Sequence, residues 1–354
     1  MIRISLLVLL GIVPGIVPGI VPIMPLQAAE TAPLFQSQES LDITLNAPFG
    51  DIDNERDREE EYEGSLSYLG ADGQPVLLDA GFEVRGNYRL RKDVCRYSQL
   101  WLDLKRGQVP GTLFEGQNRL KLVVQCRPGD RYADYVVKEY LAYRLYNVLS
   151  ETSFRVRLVN VTYNYSDDPG ESRTHQGLLI EHKDTVAESA GAEHVEENRV
   201  GISTLDPVAA TRVALFMMMI GNTDFSLTAG PEDDECCHNA KLLNREGSRY
   251  IPIPYDFDAS GFVNATYAAD PNPSLGIRSN RTRLYRGYCV HNAMVAEVIP
   301  EFNAARETFN ELLNDPRLSS NRDRRNSISY LDDFFELIND PDEVQDEILD
   351  DCRD

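Results

Sequence analysis

Lysine and arginine are few in this sequence relative to aspartate and glutamate, and histidine is rare. Its 354 residues include 35 Lys and Arg against 57 Asp and Glu, which gives a formal net charge of −22 at pH 7. So acidic a surface repels nucleic-acid phosphates and anionic lipids, and we expect no nucleic-acid partner. A ligand that carries phosphate would therefore need a locally basic cleft or a metal ion.

Two classes of metal and redox motif are missing as well. The five histidines form no H-x-x-x-H pair, and the six cysteines form no C-x-x-C pair. These absences argue against a zinc hydrolase, a zinc ribbon and a dithiol redox centre. The remaining composition, 42% hydrophobic and 26% charged, is that of an ordinary globular protein with a substantial core.

Residues 1–29 have the pattern of a secretory signal peptide. Arg3 supplies a positive start, an apolar run begins at Ile4, and the small residues Ala28 and Ala29 end the segment. A GIVP repeat places a proline at every fourth position, which disfavours a helix that spans a membrane. The sequence therefore predicts an exported protein, periplasmic or secreted, with no stable membrane span after signal cleavage; an uncleaved anchor is the alternative.

The even number of cysteines behind an export signal favours disulfides. We expect at least two, with Cys95–Cys126 as one pair, because both residues lie near the ends of strands in the same half of the chain. Cys236 and Cys237 are adjacent, and a bond between them would strain the peptide that joins them. We therefore expect these two to pair with other cysteines.

Hydrophobic alternation predicts a β-rich first half. Residues 30–64 read as an acidic, poorly ordered arm around one short strand, and residues 65–185 as a β-rich N-terminal region with one helix. The expected elements are a hairpin over 65–86, strands at 99–104 and 119–125, a helix over 131–150, and two further strands before 182.

The second half, residues 186–354, is mainly helical and ends in an acidic tail. Asp206 is a good N-cap, Pro207 suits the first helical position, and Gly221 suits the C-cap. The run between them is apolar on nearly every side, which predicts a helix buried in the core. Met217–Met219 are therefore expected to be core residues rather than ligands.

The candidate site residues follow this buried helix. Asp224 comes just after its end, Asn239 lies farther on, and Asp256 and Asp258 belong to the strand-like run IPIPYDFD. Residues two apart on a strand share a face, so these two carboxylates point the same way. Asp and Asn oxygens suit Mg²⁺ (or Mn²⁺) with phosphates, and a separate Asp can orient a hydroxyl. The alternative is that these side chains only cap turns.

In their order along the chain, several segments resemble the spore coat protein H (CotH) kinase family and, more distantly, HipA-like and other atypical protein kinases. The resemblance covers roughly residues 80–290. It implies an α+β, two-lobed protein-kinase-like fold, with a mainly antiparallel β N-terminal lobe and a mainly helical C-terminal lobe. The segments that carry it are VRGNYR (84–89), EYLAYRLYNVL (139–149), GLLIE (177–181), GNTD (221–224), HN (238–239) and PYDFD (254–258).

The resemblance also implies a nucleotide site. Strands near Arg85 would cover the phosphates of ATP, the co-substrate, and a lysine oriented by Glu139 would contact them. Glu181 would lie beside the adenine. Two lysines are open for the phosphate contact: Lys105 ends one strand, and Lys121, inside the next, has the more kinase-like separation from Glu139.

In the second half, the resemblance implies that Asp224 is the catalytic-loop aspartate. Asn239 and Asp256 would bind the metal, and Asp258 would help or would cap the next turn. The chain departs from the family pattern at two points. Asn239 comes 15 positions after Asp224, farther than in such catalytic loops, and the phosphate loop is not rich in glycine.

A basic cluster stands out at 278–286. Arg278, Arg281, Arg283 and Arg286 could bind a phosphorylated or carboxylate substrate in bidentate fashion. Internal salt bridges to the many acidic residues are the alternative, and we slightly favour them.

We therefore expect an exported enzyme that transfers a phosphoryl group from a nucleotide, with Mg²⁺ (or Mn²⁺), to a hydroxyl of a protein or small molecule. Export takes a protein away from abundant ATP, so a non-catalytic, kinase-like binding module is a second hypothesis. A metal-dependent phosphoester hydrolase that uses the same carboxylates is a third.

Overall fold

The computed structural model describes residues 31–231 and 235–354. The predicted signal peptide at 1–29 lies outside these residues. Within them, no helix combines the length and the apolar character needed to cross a membrane.

Seven strands of the first half form a closed barrel. They are β1 (Leu41–Ala47), β2 (Glu61–Leu69), β3 (Pro75–Arg85), β4 (Gln99–Leu104), β5 (Arg119–Val124), β6 (Val156–Tyr165) and β7 (Ser172–Ile180). Their order around the barrel is β1-β2-β3-β4-β5-β7-β6. Neighbours are antiparallel except β1 and β6, whose parallel pairing closes the ring.

The prediction of a two-lobed protein-kinase-like fold is wrong. The first half is a closed mixed barrel because β1 pairs with β6 along its whole length, from Leu41↔Val159 to Ala47↔Tyr165. The helices do not form a separate lobe either, since one continuous core joins barrel side chains such as Leu178 to them. Alternation along a strand predicts that the strand forms but not which distant strand it pairs with, so the sequence did not reveal the closure.

Two short helices bury their apolar residues in the core of the barrel, whereas α3 (Asp130–Leu149), which packs against β6 and β7, and the later helices build most of a separate hydrophobic core. The helices are α1 (Pro33–Gln36), α2 (Phe49–Glu55), α3 (Asp130–Leu149), α4 (Lys183–Ser189), α5 (Pro207–Ile220), α6 (Val295–Leu313), α7 (Asn321–Ile338) and α8 (Pro341–Val344). As predicted, Asp206 caps α5 by accepting from Ala209 N–H (2.8 Å), and Gly221 ends it at a φ of 64°. Met217–Met219 are buried core residues.

The segment expected to be a poorly ordered arm contributes to the barrel. Between Thr31 and residue 64 it holds β1, α2 and the start of β2, and Phe49 is fully buried. The Phe49 ring packs edge-on against those of Phe82 and Tyr163, with centroids 5.6 and 5.1 Å apart. Scattered apolar residues thus anchor this acidic segment while most of its carboxylates stay at the surface.

A three-stranded sheet lies in the second half of the chain. Its strands are β8 (Glu193–His194), β9 (Ala240–Asn244) and β10 (Ile251–Pro254), in the order β10-β9-β8. β9 and β10 form an antiparallel hairpin. The hairpin positions the candidate site described below.

Disulfides pair the six cysteines. The bonds are Cys95–Cys126, Cys236–Cys237 and Cys289–Cys352. The first confirms the predicted pair. The second shows that the expectation for the adjacent cysteines was wrong: Cys236 and Cys237 bond to each other, and the other four cysteines form the remaining two pairs. Disulfides of this kind are typical of an oxidising compartment.

Removal of the Cys95–Cys126 bond should destabilise the protein. Replacing both cysteines with alanine is expected to lower the free energy of unfolding by about 3–4 kcal/mol, because the bond constrains a long loop of the unfolded chain. The two cysteines are 31 positions apart. Urea unfolding of parent and variant measures the effect. Equal midpoints would show that the bond contributes nothing to stability.

Candidate functional site

The β9–β10 hairpin brings two predicted site residues to one end. Ala240 pairs with Pro254 in the ladder, and the Tyr255 N–H donates to the Asn239 carbonyl (3.1 Å). Asn239, just before β9, and Asp256, just after β10, are therefore neighbours across the hairpin. Antiparallel pairing thus unites residues that are far apart in the sequence.

Asp224 lies at the same end, in the loop after α5. Its Oδ1 is 2.8 Å from His238 Nε2, and Asn239 Nδ2 donates to its backbone carbonyl (2.6 Å) and its Oδ2 (3.2 Å). The His238 hydrogen bond is the main reason why the pKa of Asp224 is lowered, and it also raises the pKa of His238. Because Asn239 Nδ2 is used here, Oδ1 is the Asn239 atom left for a cation.

The backbone at both hairpin-end residues adopts angles that ordinary residues avoid. φ is 50° at Asn239 and 63° at Asp256, two of the four non-glycine residues with positive φ in the described ranges. Such conformations cost free energy and concentrate at functional sites. Two hydrogen bonds hold the backbone of Asp256: its N–H donates to the Tyr143 hydroxyl (2.9 Å), and Asn222 Nδ2 donates to its carbonyl (3.4 Å).

Arg89 lies between the buried carboxylates of Glu139 and Asp258 and the partly exposed carboxylate of Asp256. It lies on the short 3-10 turn Tyr88–Leu90, which follows β3. Its guanidinium is 3.2 Å from Asp258, 3.3 Å from Asp256 and 3.9 Å from Glu139. Glu139, on α3, has a side chain only 2% exposed, and its Oε1 has no hydrogen-bond partner among the described residues. Three carboxylates thus share one guanidinium.

Burial changes the ionisation of this carboxylate cluster. It raises the pKa of Glu139 to about 8 and that of Asp258 to about 6, and Arg89 opposes both shifts. Burial also acts to lower the pKa of Arg89. The electrostatic attraction of Asp258 and neighbouring groups is stronger than this effect of burial and keeps the pKa of Arg89 above its usual value. A divalent cation would supply the positive charge that the cluster lacks, and carboxylate oxygens are the donors that Mg²⁺ and Mn²⁺ prefer.

Lys121 faces the same cleft from β5. Its Nζ lies 4.0 Å from the centre of the Tyr255 ring and 5.5 Å from that of Trp101. Burial, with a further contribution from Arg85, lowers the pKa of Lys121 to about 7, and Asp256 opposes the shift. Lys121 therefore titrates near neutral pH, and an anionic phosphate beside it would favour its charged form.

These side chains line a cleft of about 670 Å³. Its described lining includes six Lys or Arg residues against five Asp or Glu residues. In a chain with a net charge of −22, this nearly balanced lining repels a phosphate-bearing ligand less than the rest of the surface does, and a bound cation would add the positive charge that such a ligand needs. The basic residues are Arg58, Arg85, Arg89, Lys121, Lys183 and Lys241.

The structure brings most of the predicted site residues together. Glu139 contacts Arg89 rather than a lysine. Lys105 lies outside the cleft, exposed and 3.6 Å from Asp79, and Glu181 is buried, where its Oε2 accepts from the Arg155 N–H. The roles of all these residues stay predictions. Those that line the cleft are Arg85, Lys121, Asp224, Asn239, Asp256 and Asp258.

In the basic cluster at 278–286, three of the four arginines donate to backbone carbonyls, and the first of them, Arg281, donates to the Gly261 carbonyl (3.3 Å). Arg283 donates to the Tyr330 carbonyl, and Arg286 Nη1 donates to the Thr223 carbonyl (2.7 Å). These contacts differ both from substrate binding and from the salt bridges that we favoured. Arg286 instead braces the loop that carries Asp224.

Sequence reasoning missed two residues of the cleft. Arg89 is the last residue of VRGNYR, and His238 directly precedes Asn239, so both lie in motifs that had drawn attention. Their partners, Asp258 and Asp224, become neighbours only through tertiary structure. A lone Arg or His in a motif carries no signal for such a contact.

Comparison with known proteins adds no family name to this geometry. No family model matches the chain, and no curated protein matches it.

Proposed function

We propose that the cleft binds a nucleotide with Mg²⁺ (or Mn²⁺) and transfers a phosphoryl group from it to a hydroxyl of a protein or small molecule, with ATP as the co-substrate. The convergence of side chains carries the proposal. Cations from the barrel and oxygen donors from the loop after α5 and from the β9–β10 hairpin meet at one cleft, and Glu139 of α3 lies behind it against Arg89. Phosphoryl transfer needs this set, because its catalysis rests on positioning and charge neutralisation.

Each group then has a role that follows from its position. Lys121 and Arg85 contact phosphate oxygens, and Asp256 and Asn239 hold the cation at the end of the hairpin. Asp224 orients the acceptor hydroxyl and accepts its proton. The cation, when bound, neutralises the charge on the phosphates.

We propose a relationship to CotH-like kinases at the level of the site alone. The motif order that resembles that family supplies Arg85, Asp224, Asn239 and Asp256 to this cleft. The barrel fold does not enter this proposal.

A binding screen tests the function. Nucleotides are added with and without Mg²⁺ or Mn²⁺, and the thermal midpoint is followed, because a ligand that binds only the folded state must raise it. Trp101 is the only tryptophan of the chain and lines the cleft, so its fluorescence reports the same binding directly. Transfer from labelled ATP to candidate hydroxyl acceptors then measures turnover.

The outcomes separate the three hypotheses. Metal-dependent nucleotide binding with phosphoryl transfer supports the proposal. Binding without turnover would indicate a non-catalytic binding module, and turnover of phosphoesters without an acceptor would indicate a hydrolase. The absence of any nucleotide effect on the midpoint or on Trp101 fluorescence would refute nucleotide binding.

We propose further that the protein is exported to the periplasm or secreted. The signal-peptide pattern at 1–29 and the disulfides support this location. The mature chain should then begin at Ala29 or Glu30. Intact-mass measurement of the exported protein checks the cleavage, and a mass that still includes residues 1–28 would contradict it.

Lys121 should make both stability and nucleotide binding depend on pH. Its folded pKa of about 7 is lower than that of an unfolded lysine, about 10.4. The charged amine therefore destabilises the fold below pH 7, and stability rises between about pH 7 and 10. Lys121→Met should raise the free energy of unfolding at pH 6 on the order of 2 kcal/mol, allowing for partial exposure of the amine.

The same substitution should weaken nucleotide binding at least about tenfold, since a charge-assisted contact to phosphate is lost. In the parent, affinity should fall above pH 7 as the ammonium form disappears. Urea unfolding and fluorescence titration across pH measure the two effects. Lys105→Met, which changes the exposed lysine, is the matched control and should alter neither. Lower stability or parental affinity in Lys121→Met would contradict this role.

A further inference from the structure

We propose that a basic surface beside the cleft docks the acceptor, and that this acceptor is an acidic peptide segment with Asp or Glu next to its hydroxyl residue. The inference rests on the proposed function, because it names the substrate of that site. The surface, called the basic rim here, belongs to two loops, residues 85–98 and 125–131. Its cations are Arg91, Lys92, Arg96, Arg127 and Arg131.

The basic rim reverses the sign of charge that dominates the molecule. Apart from Arg85 and Arg89, which face the cleft, the two loops hold five Lys or Arg residues and two Asp residues, although the chain as a whole has a net charge of −22. One of the aspartates, Asp93, is paired with Arg91 (2.6 Å). Local charge of this kind steers and selects partners of the opposite sign.

Most rim cations contact neutral groups. Lys92 Nζ donates to the Asn54 carbonyl (2.6 Å), and Arg127 Nε donates to the Val94 carbonyl (3.1 Å). The Arg96 guanidinium lies 5.5 Å from the centre of the neighbouring Tyr97 ring. Such contacts fix the side chains but do not neutralise their charge, so the rim keeps its attraction for carboxylates.

The basic rim is preorganised and continuous with the cleft. The Cys95–Cys126 disulfide ties its two loops together. The buried Arg56 fixes the first loop by donating hydrogen bonds to the carbonyls of Leu90, Cys95 and Arg96. Arg89, on the same loop, touches Asp256 in the cleft. A peptide on this rigid surface would lie next to the site and would bind with little cost of ordering the protein.

Charge distribution favours a short acidic peptide over a long polyanion. An extended polymer would continue beyond the rim onto the acidic remainder of the surface, where it is repelled. A short peptide senses mainly the rim, since screening limits such forces to about 8–10 Å in physiological salt. Guanidinium groups match carboxylates in bidentate geometry. Tyr88, 39% exposed at the cleft edge, adds an apolar contact.

Peptide binding without nucleotide or metal tests the inference. The probe is a fluorescent peptide with one serine flanked by glutamates, and its partner has glutamines in their place. Fluorescence anisotropy should show at least about tenfold tighter binding of the glutamate peptide at low salt, weakening as salt is added. The rim variant Lys92→Glu/Arg96→Glu/Arg131→Glu should lose at least about tenfold in affinity for it.

Two further variants complete the design. Arg322→Glu/Arg325→Glu reverses two exposed charges on α7, one fewer than the rim variant reverses, and should change affinity less than about twofold. Arg96→Gln/Arg131→Gln removes charge without adding any. This neutral variant is used in the binding measurement instead of the triple glutamate variant if the thermal midpoint shows that the latter does not fold.

Clear results would overturn the inference. These are equal affinity for the glutamate and glutamine peptides, or parental affinity in a folded rim variant. Tighter binding of a polyphosphate than of the glutamate peptide, lost in the same variant, would assign the rim to long polyanions instead. Because no nucleotide is present, these outcomes are independent of whether the cleft transfers phosphate.

Discussion

Replacing Asp256 with alanine is expected to abolish the stabilisation of the protein by nucleotide and metal. Asp256 is the predicted metal ligand at the end of the β9–β10 hairpin, and its side chain is still 34% accessible to a ligand. In the parent, a nucleotide at about 100 times its Kd should raise the free energy of unfolding by about 2.7 kcal/mol, or the midpoint by about 4 °C for a chain of this length. In Asp256→Ala this increase should vanish, as measured by thermal unfolding with and without Mn²⁺.

Asp224→Ala should give the opposite pattern. Asp224 is held by His238 and Asn239 and has no predicted role in holding the cation. Its loss should leave nucleotide binding largely intact but lower turnover at least about 100-fold, because a residue that orients the acceptor acts mainly in the transition state. Asp258→Ala should be milder in both assays, since Asp258 is buried and pairs with Arg89.

The ordering of the three variants is the decisive observation. If Asp256→Ala binds nucleotide and metal as well as the parent does, the assignment of the site is wrong, and these carboxylates serve as turn caps. If Asp224→Ala loses binding as well, then Asp224 belongs to the metal site. Trp101 fluorescence provides the binding measurement in all three variants, because none of the substitutions removes that reporter.

Local elements could be predicted from the sequence because their signals are local. The cap residues of α5 and the alternating pattern of β2 and β3 each lie within a few residues of what they specify. The closure of the barrel could not be predicted, because it depends on β1 pairing in parallel with β6 across more than a hundred residues. The strands of an open sheet and of a closed barrel have the same alternation of apolar and polar residues. The strands could therefore be predicted correctly while the fold was not.

The candidate site shows the same division. Asp224, Asn239 and Asp256 could be selected because they follow, in this order, a predicted buried helix and lead to a strand-like run, an order that resembles a known kinase family. The ion-pair partner of Glu139 could not be identified from the sequence, because a kinase-like lysine and Arg89 are equally plausible partners there. Only the packing of α3 against the turn Tyr88–Leu90 places the guanidinium there.

Arg89→Gln is expected to lower the free energy of unfolding at pH 7 by about 3–5 kcal/mol in the presence of a chelator, because it strips a buried ion-pair cluster of its cation. Asp256 and Asp258 would then repel each other without compensation, whereas Glu139, whose pKa burial raises to about 8, is mostly protonated at this pH. Adding Mn²⁺ should restore part of the loss, since a divalent cation can take the place of the guanidinium. Urea unfolding with chelator and with Mn²⁺ measures both effects.

Arg212→Gln supplies the matched control for this experiment. Arg212 also forms a close ion pair, 2.6 Å from Glu301, but with a single carboxylate. Its loss should cost less, at most about 1 kcal/mol, and Mn²⁺ should not reverse it, because one carboxylate is too few ligands for the ion. Arg89→Gln unfolding curves that coincide with and without Mn²⁺ would show that the three carboxylates do not form a cation site. A larger Mn²⁺ effect in Arg89→Gln than in the parent would show that Arg89 and the metal compete for the same oxygens, so that a bound cation at this cluster would have to displace the guanidinium.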